Sequence, residues 1–205
     1  MASPSIKPTV KESPDTRASI LATGQRLMAS KGFSAVGLNE VLGSAGVPKG
    51  SFYHYFASKE AFGEAMLDSY FDDYLAEIDN TLRQPGLTMA QRLTNYWQGW
   101  QETQSLLDCQ GKCLAVKLGA EVSDLSESMR LALKQGTSGI TSRLARAIET
   151  GAAEGSLTIE GEPELVAESL YQLWLGASVM AKIVRNRRPF EAAMAATKLI
   201  LHLPD

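Results

Sequence analysis

Both cysteines of the 205-residue chain fall within five residues, Cys109 and Cys113 of "CQGKC". Thiols at that spacing admit four chemistries: a disulfide, half of a metal site, a reactive thiol beside a positive charge, or plain apolar packing. A zinc site needs about four ligands, and the two histidines, His54 and His202, are poorly placed to complete one. No local motif pairs a histidine with either cysteine, and no carboxylate pair has a recognisable catalytic setting, so a thiol-dependent enzyme is a remote reading. Two cysteines make no disulfide framework, and a reducing compartment keeps them as thiols. Packing stays open for both, since free cysteine is among the most buried residue types. Cys113 carries a further signal. It begins the helical stretch "CLAVKLGAE", which sets its sulfur near free N–H groups, with Lys112 beside it and Lys117 one turn on. All three lower a thiol pKa and favour reaction with electrophiles or oxidants.

The elements that must position this thiol are helical. An apolar fraction of 44% is enough to bury a core. No apolar run approaches the roughly 20 residues needed to span a bilayer, and the start, "MASPSIKPTVKESPD", lacks the hydrophobic core of a secretion signal. The expectation is a cytoplasmic protein with no membrane partner. Residues 1–14, rich in Pro, Ser and Thr, read as a disordered arm. From about residue 16 to Lys31, Ile20, Leu21, Gly24, Leu27 and Met28 form an amphipathic stripe that Gly32 ends. Leu38, Val41, Leu42 and Ala45 mark a second short helix stopped by Gly46, and Pro48 opens a third. Ser58 caps a long helix that buries Phe62, Met66, Tyr70, Phe71, Tyr74 and Ile78. Further helices are expected over 88–107, 113–121, 125–150, 163–186 and 189–203. The fold class is all-α with about nine helices: a head over 15–60 and a regulatory and dimerisation body over 61–205. There is no internal repeat and no Gly-rich phosphate loop, and nothing calls for a cofactor.

The net charge of −3 hides an asymmetry. Residues 1–60 carry seven basic and four acidic side chains, leaving thirteen against nineteen for the rest. A basic head on an acidic body is compatible with nucleic-acid binding, because the local patch is what meets phosphate. Within the head, "LNEVLGSAGVPKGSFYHYF" is helix, glycine turn, helix, the plan of a helix-turn-helix reader. Phe52 and Phe56, four apart, share the face that packs on Leu38, Val41 and Leu42. Gly50, Ser51, Tyr53 and His54 then face outward, where hydroxyl and imidazole can donate to phosphate or base edges and glycine permits close backbone approach. Lys59, in the first turn of the helix capped by Ser58, sits where the helix dipole disfavours a cation. A phosphate at that helix end reverses the penalty; simple solvation is the alternative.

Residues 32–62, "GFSAVGLNEVLGSAGVPKGSFYHYFASKEAF", resemble the DNA-binding signature of the TetR family of bacterial transcriptional repressors. The resemblance implies a homodimer, an inducer pocket in the body, and two recognition helices on a palindromic double-stranded operator. Lys49, Gly50, Ser51, Tyr53, His54, Tyr55 and Lys59 match DNA-contacting positions. The chain departs from the pattern at Val36 and Gly37, where many members carry Thr followed by Ser or Thr, so a side-chain phosphate contact is lost there. The segments "KCLAVKLGAEVSDLSESMR" and "YQLWLGASVMAKI" are similar to the electrophile- and oxidant-responsive subgroup of the family. In that subgroup a cysteine at the position of Cys113 is the sensing residue, and a lysine matching Lys182 lies near it. Lys112 replaces the usual preceding glycine and Cys109 has no clear counterpart, so the role transfers to Cys113 alone.

In the body, the helix from Pro163 is apolar nearly all round, as expected of an element with its own domain on one side and a partner on the other. With Phe190, Met194, Leu199 and Ile200 on the last helix, two helices from each chain make a four-helix dimer interface. Trp97, Trp100, Tyr171, Trp174 and Met180 are candidates for lining a ligand cavity, with core packing as the alternative. A reversible apolar inducer acting without thiol chemistry is the second functional reading.

Overall fold

The computed structural model describes residues 14–104 and 113–203, and among them the chain is helical, with nine α-helices and no strand. They are α1 (Pro14–Lys31), α2 (Leu38–Ala45), α3 (Lys49–Tyr55), α4 (Lys59–Leu82), α5 (Met89–Gln104), α6 (Leu114–Leu125), α7 (Glu127–Ala153), α8 (Pro163–Val184) and α9 (Arg188–Ile200). The expected N-terminal arm, Cys109 and Lys112 lie outside the described residues.

Helix ends follow from local chemistry. Gly32 (φ 93°) turns the chain out of α1 while its N–H still bonds Met28 O at 2.9 Å. Gly46 (φ 67°) ends α2, and Val47 N–H returns to Leu42 O at 3.0 Å, a left-handed cap that costs glycine no Cβ clash. Gly37 at the start of α2 offers no side-chain cap, and Val36 is buried. Ser58 Oγ accepts from Ala61 N at 3.1 Å and starts α4.

The head closes around an aromatic knot. Phe52, Phe56 and Phe62 are buried with ring centroids 5.1–5.6 Å apart, packing against Val41 and Leu42 as their spacing predicted. Phe62 also lies so close over α1 that a Cβ on Gly24 would sit 2.3 Å from its ring, which explains the glycine in the α1 stripe. Because Phe62 belongs to α4, this contact ties the head to the helix that runs on into the body.

In the body α4 packs on α7, α7 on α8 and α8 on α9. Asp79 on α4 and Arg143 on α7 pair across the first of these seams at 2.8 Å. Behind them Trp97 (α5), Trp174 (α8) and Phe190 (α9) stack in sequence, with centroids 4.9 and 6.1 Å apart. Trp174 Nε1 donates to Thr197 Oγ1 and Trp100 Nε1 to Ser178 Oγ, each at 2.9 Å, so these two buried indole N–H groups are satisfied, whereas the buried Trp97 Nε1 has no hydrogen-bond partner among the described residues. No helix among the described residues is long and apolar enough to cross a membrane.

Candidate functional site

The outward face of α3 is built from the residues left over once Phe52 has gone to the core. Lys49 and Gly50 are exposed at its N-terminal end, Ser51 is half-buried, and Tyr53 and His54 project on the outer side. Tyr53 is 56% exposed, its ring edge-on to Phe52 at 5.4 Å, so the packed phenylalanine orients a phenol toward solvent. His54 stands edge-on to Tyr55 at 5.1 Å. Tyr55 itself is half-buried against the core and presents only part of its edge. Nothing lies within 4 Å of a Cβ placed on Gly50. Glycine in a helix costs about 1 kcal/mol relative to alanine, and the protein's own packing gives no reason for it.

Lys59 has a partner inside the fold. Its Nζ donates to Phe33 O at 2.9 Å and lies 4.5 Å from the Phe33 ring centroid. The cation at the α4 N-terminus is thus compensated by a carbonyl and an aromatic face, and its placement does not by itself require a phosphate. The dipole argument made from the sequence is answered by a contact 26 residues away in the chain.

The second site is a cavity of about 240 Å³ between α1, α4, α5 and the start of α6. Tyr70, Tyr74, Tyr96, Trp100, Ile78 and Cys113 form its wall, with Gln25, Asp73, Glu77 and Asn95 among its polar lining. Of the five residues expected to line a pocket, Trp100 does. Trp97 and Trp174 are core, stacked on each other behind the cavity. Tyr171 is buried beside Trp100, 5.8 Å between centroids, and its hydroxyl has no hydrogen-bond partner among the described residues. Met180 is 47% exposed on the opposite side of α8. The cause of the misplacement is that α8 is apolar on two sides, one turned to the core and the other outward. The three tyrosines were missed as a group; Tyr70 and Tyr74 were read as buried positions of α4, and their stacking at 5.9 Å with Tyr96 across from them follows only from the packing of α4 on α5. Tyr74 and Tyr96 hydroxyls meet at 3.3 Å. Burial raises the pKa of all these phenols, Tyr171 included, so they remain neutral hydrogen-bonding groups.

Cys113 is the N-cap residue of α6 and is buried. Burial pushes its thiol pKa up, against the opposing pull of the Val116 N–H, the Tyr70 hydroxyl, the Ala115 N–H and the charge of Lys182 on α8. The helix-start amides and Lys182 act in the direction the sequence suggested, but desolvation outweighs them and the expected low pKa is reversed. Lys117 acts elsewhere: its charge lies near Glu121.

Comparison with known proteins places both the head and the body in one family. The family model for bacterial regulatory proteins of the TetR family matches residues 20–66, and that for the tetracyclin repressor-like C-terminal domain matches residues 90–197. The chain is 44% identical to the HTH-type transcriptional repressor NemR of Escherichia coli K12 over 190 residues, covering 93% of this chain and 96% of NemR. It is 34% identical to the HTH-type transcriptional repressor DhaR of a Mycobacterium species, covering 90% of this chain and 95% of DhaR. The crystal structure of E. coli NemR in its reduced form superposes with a TM-score of 0.88 at 46% identity, covering 93% of this chain and 98% of that one. The chain therefore belongs to the TetR family, as a DNA-binding transcriptional repressor and not an enzyme, with α2 and α3 as its helix-turn-helix.

Proposed function

We propose that the protein is a homodimeric repressor that leaves a palindromic operator when Cys113 is modified by a small electrophile or oxidant. The carrying observation is the position of Cys113: it caps α6, borders a cavity large enough for a small reagent, and has a hydroxyl, two amides and the cation of Lys182 arranged to favour the thiolate once the site is wetted. The relative crystallised in a named reduced form supports a redox-responsive reading. On the DNA side, Lys49 and the α3 N-terminus meet phosphate, Gly50 allows close approach, and Ser51, Tyr53 and His54 face the major groove, with Tyr55 contributing its edge. Lys59 acts there chiefly by holding the head, through Phe33, rather than as a free phosphate ligand.

The homodimer rests on the outer faces of α8 and α9. Leu165, Val179, Met180, Ile183, Val184, Leu199 and Ile200 are all exposed large apolar residues. Contiguous apolar surface of this kind marks an interface. Phe190, expected there from the sequence, is instead buried under Trp174. A dimer with two heads reads half-sites about one DNA turn apart, ~34–36 Å, so a small change in head spacing disengages both. As a DNA-binding repressor the protein acts in the cytoplasm.

Electromobility shift with the reduced protein, before and after N-ethylmaleimide, tests the reading. Cys113→Ser binds operator like the parent and is no longer released. Release of the variant as readily as the parent overturns the sensor role. The cavity also supports a second reading, a reversible ligand held among Tyr70, Tyr74, Tyr96 and Trp100 with Cys113 as packing. In that case a ligand raises the melting temperature equally whether or not the thiol is blocked.

A further inference from the structure

The turn between α1 and α2 is held by a body residue that no sequence motif points to. Glu121, two turns along α6 from Cys113, accepts hydrogen bonds from two successive backbone amides of the head: Phe33 N to Oε2 at 3.1 Å and Ser34 N to Oε1 at 2.7 Å. Bonds from N–H to an ionised carboxylate are roughly twice as strong as neutral ones, and two to one carboxylate fix orientation as well as distance. The turn is shaped to receive it. Gly32 takes the left-handed conformation, and a Cβ there would come within 2.9 Å of Glu121 Oε2. Burial raises the pKa of Glu121, but its bonds to Ser34 and Phe33 and the charge of Lys117 outweigh this and hold the carboxyl below its usual range.

The other side of the same peptide is held by α4. Lys59 Nζ bonds Phe33 O, and the Phe33 ring, 5% exposed, lies against Gly63, where a Cβ would meet it at 2.8 Å. Phe33 is therefore gripped through its N–H by α6 and through its C=O and ring by α4. The α4 grip belongs to the helix that continues the head. The α6 grip is different, because its far end is Cys113.

We infer that Glu121 is the positioning residue through which the state of Cys113 reaches the DNA-binding head. Eight residues of α-helix separate the two, about 12 Å. The apolar face Leu114, Leu118 and Val122 is buried along the length of α6, so the helix moves as one body. Cys113 is 5% exposed at the end of the cavity, where it caps α6, and an adduct on its sulfur displaces the first turn of that helix. That displacement draws Glu121 away from Phe33 and Ser34, freeing the α1–α2 turn while Lys59 keeps its hold. The head then pivots about the α4 contact. This inference rests on the reading of Cys113 as the sensing residue.

The test compares the full-length parent with Glu121→Gln, in which one oxygen is replaced by a donor that cannot accept from an amide. N-ethylmaleimide labelling of Cys113 is quantified by mass spectrometry, and operator affinity is measured before and after. In the parent, labelling lowers affinity by a factor in the range of typical allosteric couplings, about 5- to 150-fold. Glu121→Gln labels to the same extent, binds operator more weakly than the parent beforehand, and changes by less than about twofold on labelling, a factor below that coupling range. An equal drop in both proteins overturns the coupling role of Glu121 and leaves the sensor reading standing. No drop in the labelled parent overturns the sensor reading, and the coupling role with it. A variant that does not fold leaves the parent to decide by hydrogen exchange: labelling must accelerate exchange at the Phe33 and Ser34 amides, and unchanged protection there overturns the inference.

Discussion

Asp79 and Arg143 meet at two points, Oδ1 with Nε at 2.8 Å and Oδ2 with Nη2 at 3.1 Å, and so fasten the last turn of α4 to the middle of α7. The paired hydrogen bonds and charge of Arg143, with Arg83 and Arg146 nearby, hold the Asp79 carboxyl below its usual pKa. A carboxylate whose folded pKa is depressed contributes fully above its unfolded pKa of about 3.9, and the contribution is lost as pH falls through the lower folded value. Asp79→Asn is expected to lower the melting temperature at pH 7, by an amount matching at most about 1 kcal/mol for a partly exposed pair. The gap between variant and parent closes in melts carried out below about pH 4. A gap that persists undiminished at pH 3 assigns the loss to something other than the ion pair.

Gly136 on α7 faces the ring of Phe71 on α4, and a Cβ there would lie 2.1–2.4 Å from three ring carbons. Gly136→Ala improves helix propensity by about 1 kcal/mol, yet the clash is with a buried aromatic that has little room to move. Overpacking of this kind costs about 1–3 kcal/mol. Chemical denaturation is expected to show net destabilisation, and Gly119→Ala, which meets nothing within 4 Å, serves as the contrast and is neutral or stabilising.

Lys49→Ala and Tyr53→Ala separate positioning from readout on α3. Lys49→Ala weakens operator and unrelated DNA alike and lowers the slope of log affinity against log salt by about one per half-site. Tyr53→Ala changes the ranking of operator variants as well as the affinity. Fluorescence anisotropy across a salt series checks both, and parental affinity in the two variants would remove α3 from DNA recognition.

Ile183 is 67% exposed and Leu199 76%, on the two helices proposed to meet a second copy. Ile183→Glu with Leu199→Glu is expected to yield a monomer in sedimentation, with helical content unchanged and operator binding lost. A double variant that stays dimeric places the interface elsewhere.

The head was legible in the sequence because its determinants are local. The four-residue spacing of Phe52 and Phe56, the turn glycine Gly46 and the Ser58 cap each act within one helical turn, and the structure has them where the pattern put them. The internal partner of Lys59 was not legible for the opposite reason, since the Phe33 carbonyl that engages it is brought near only by the fold. The cavity suffered in the same way: Trp97 and Trp174 have the composition of a pocket wall, and only their stacking at 4.9 Å shows them to be core. At Cys113 the amides at the helix start could be read from position, but the desolvation that outweighs them comes from burial by the folded chain, which no spacing encodes. Glu121 looked like any solvated carboxylate, its two amide partners lying 87 and 88 residues away.

Under the proposed sensor role, the burial of Cys113 beside Tyr70, Tyr74 and Tyr96 has a consequence for when the protein stays silent. A buried thiol whose pKa is pushed up by desolvation reacts more slowly than an exposed one. Glutathione disulfide and other bulky polar oxidants are filtered by access, and weak electrophiles by the scarcity of thiolate. Background chemistry is thereby kept slow, and the threshold for a response depends on the size and potency of the reagent more than on the general redox poise of its surroundings.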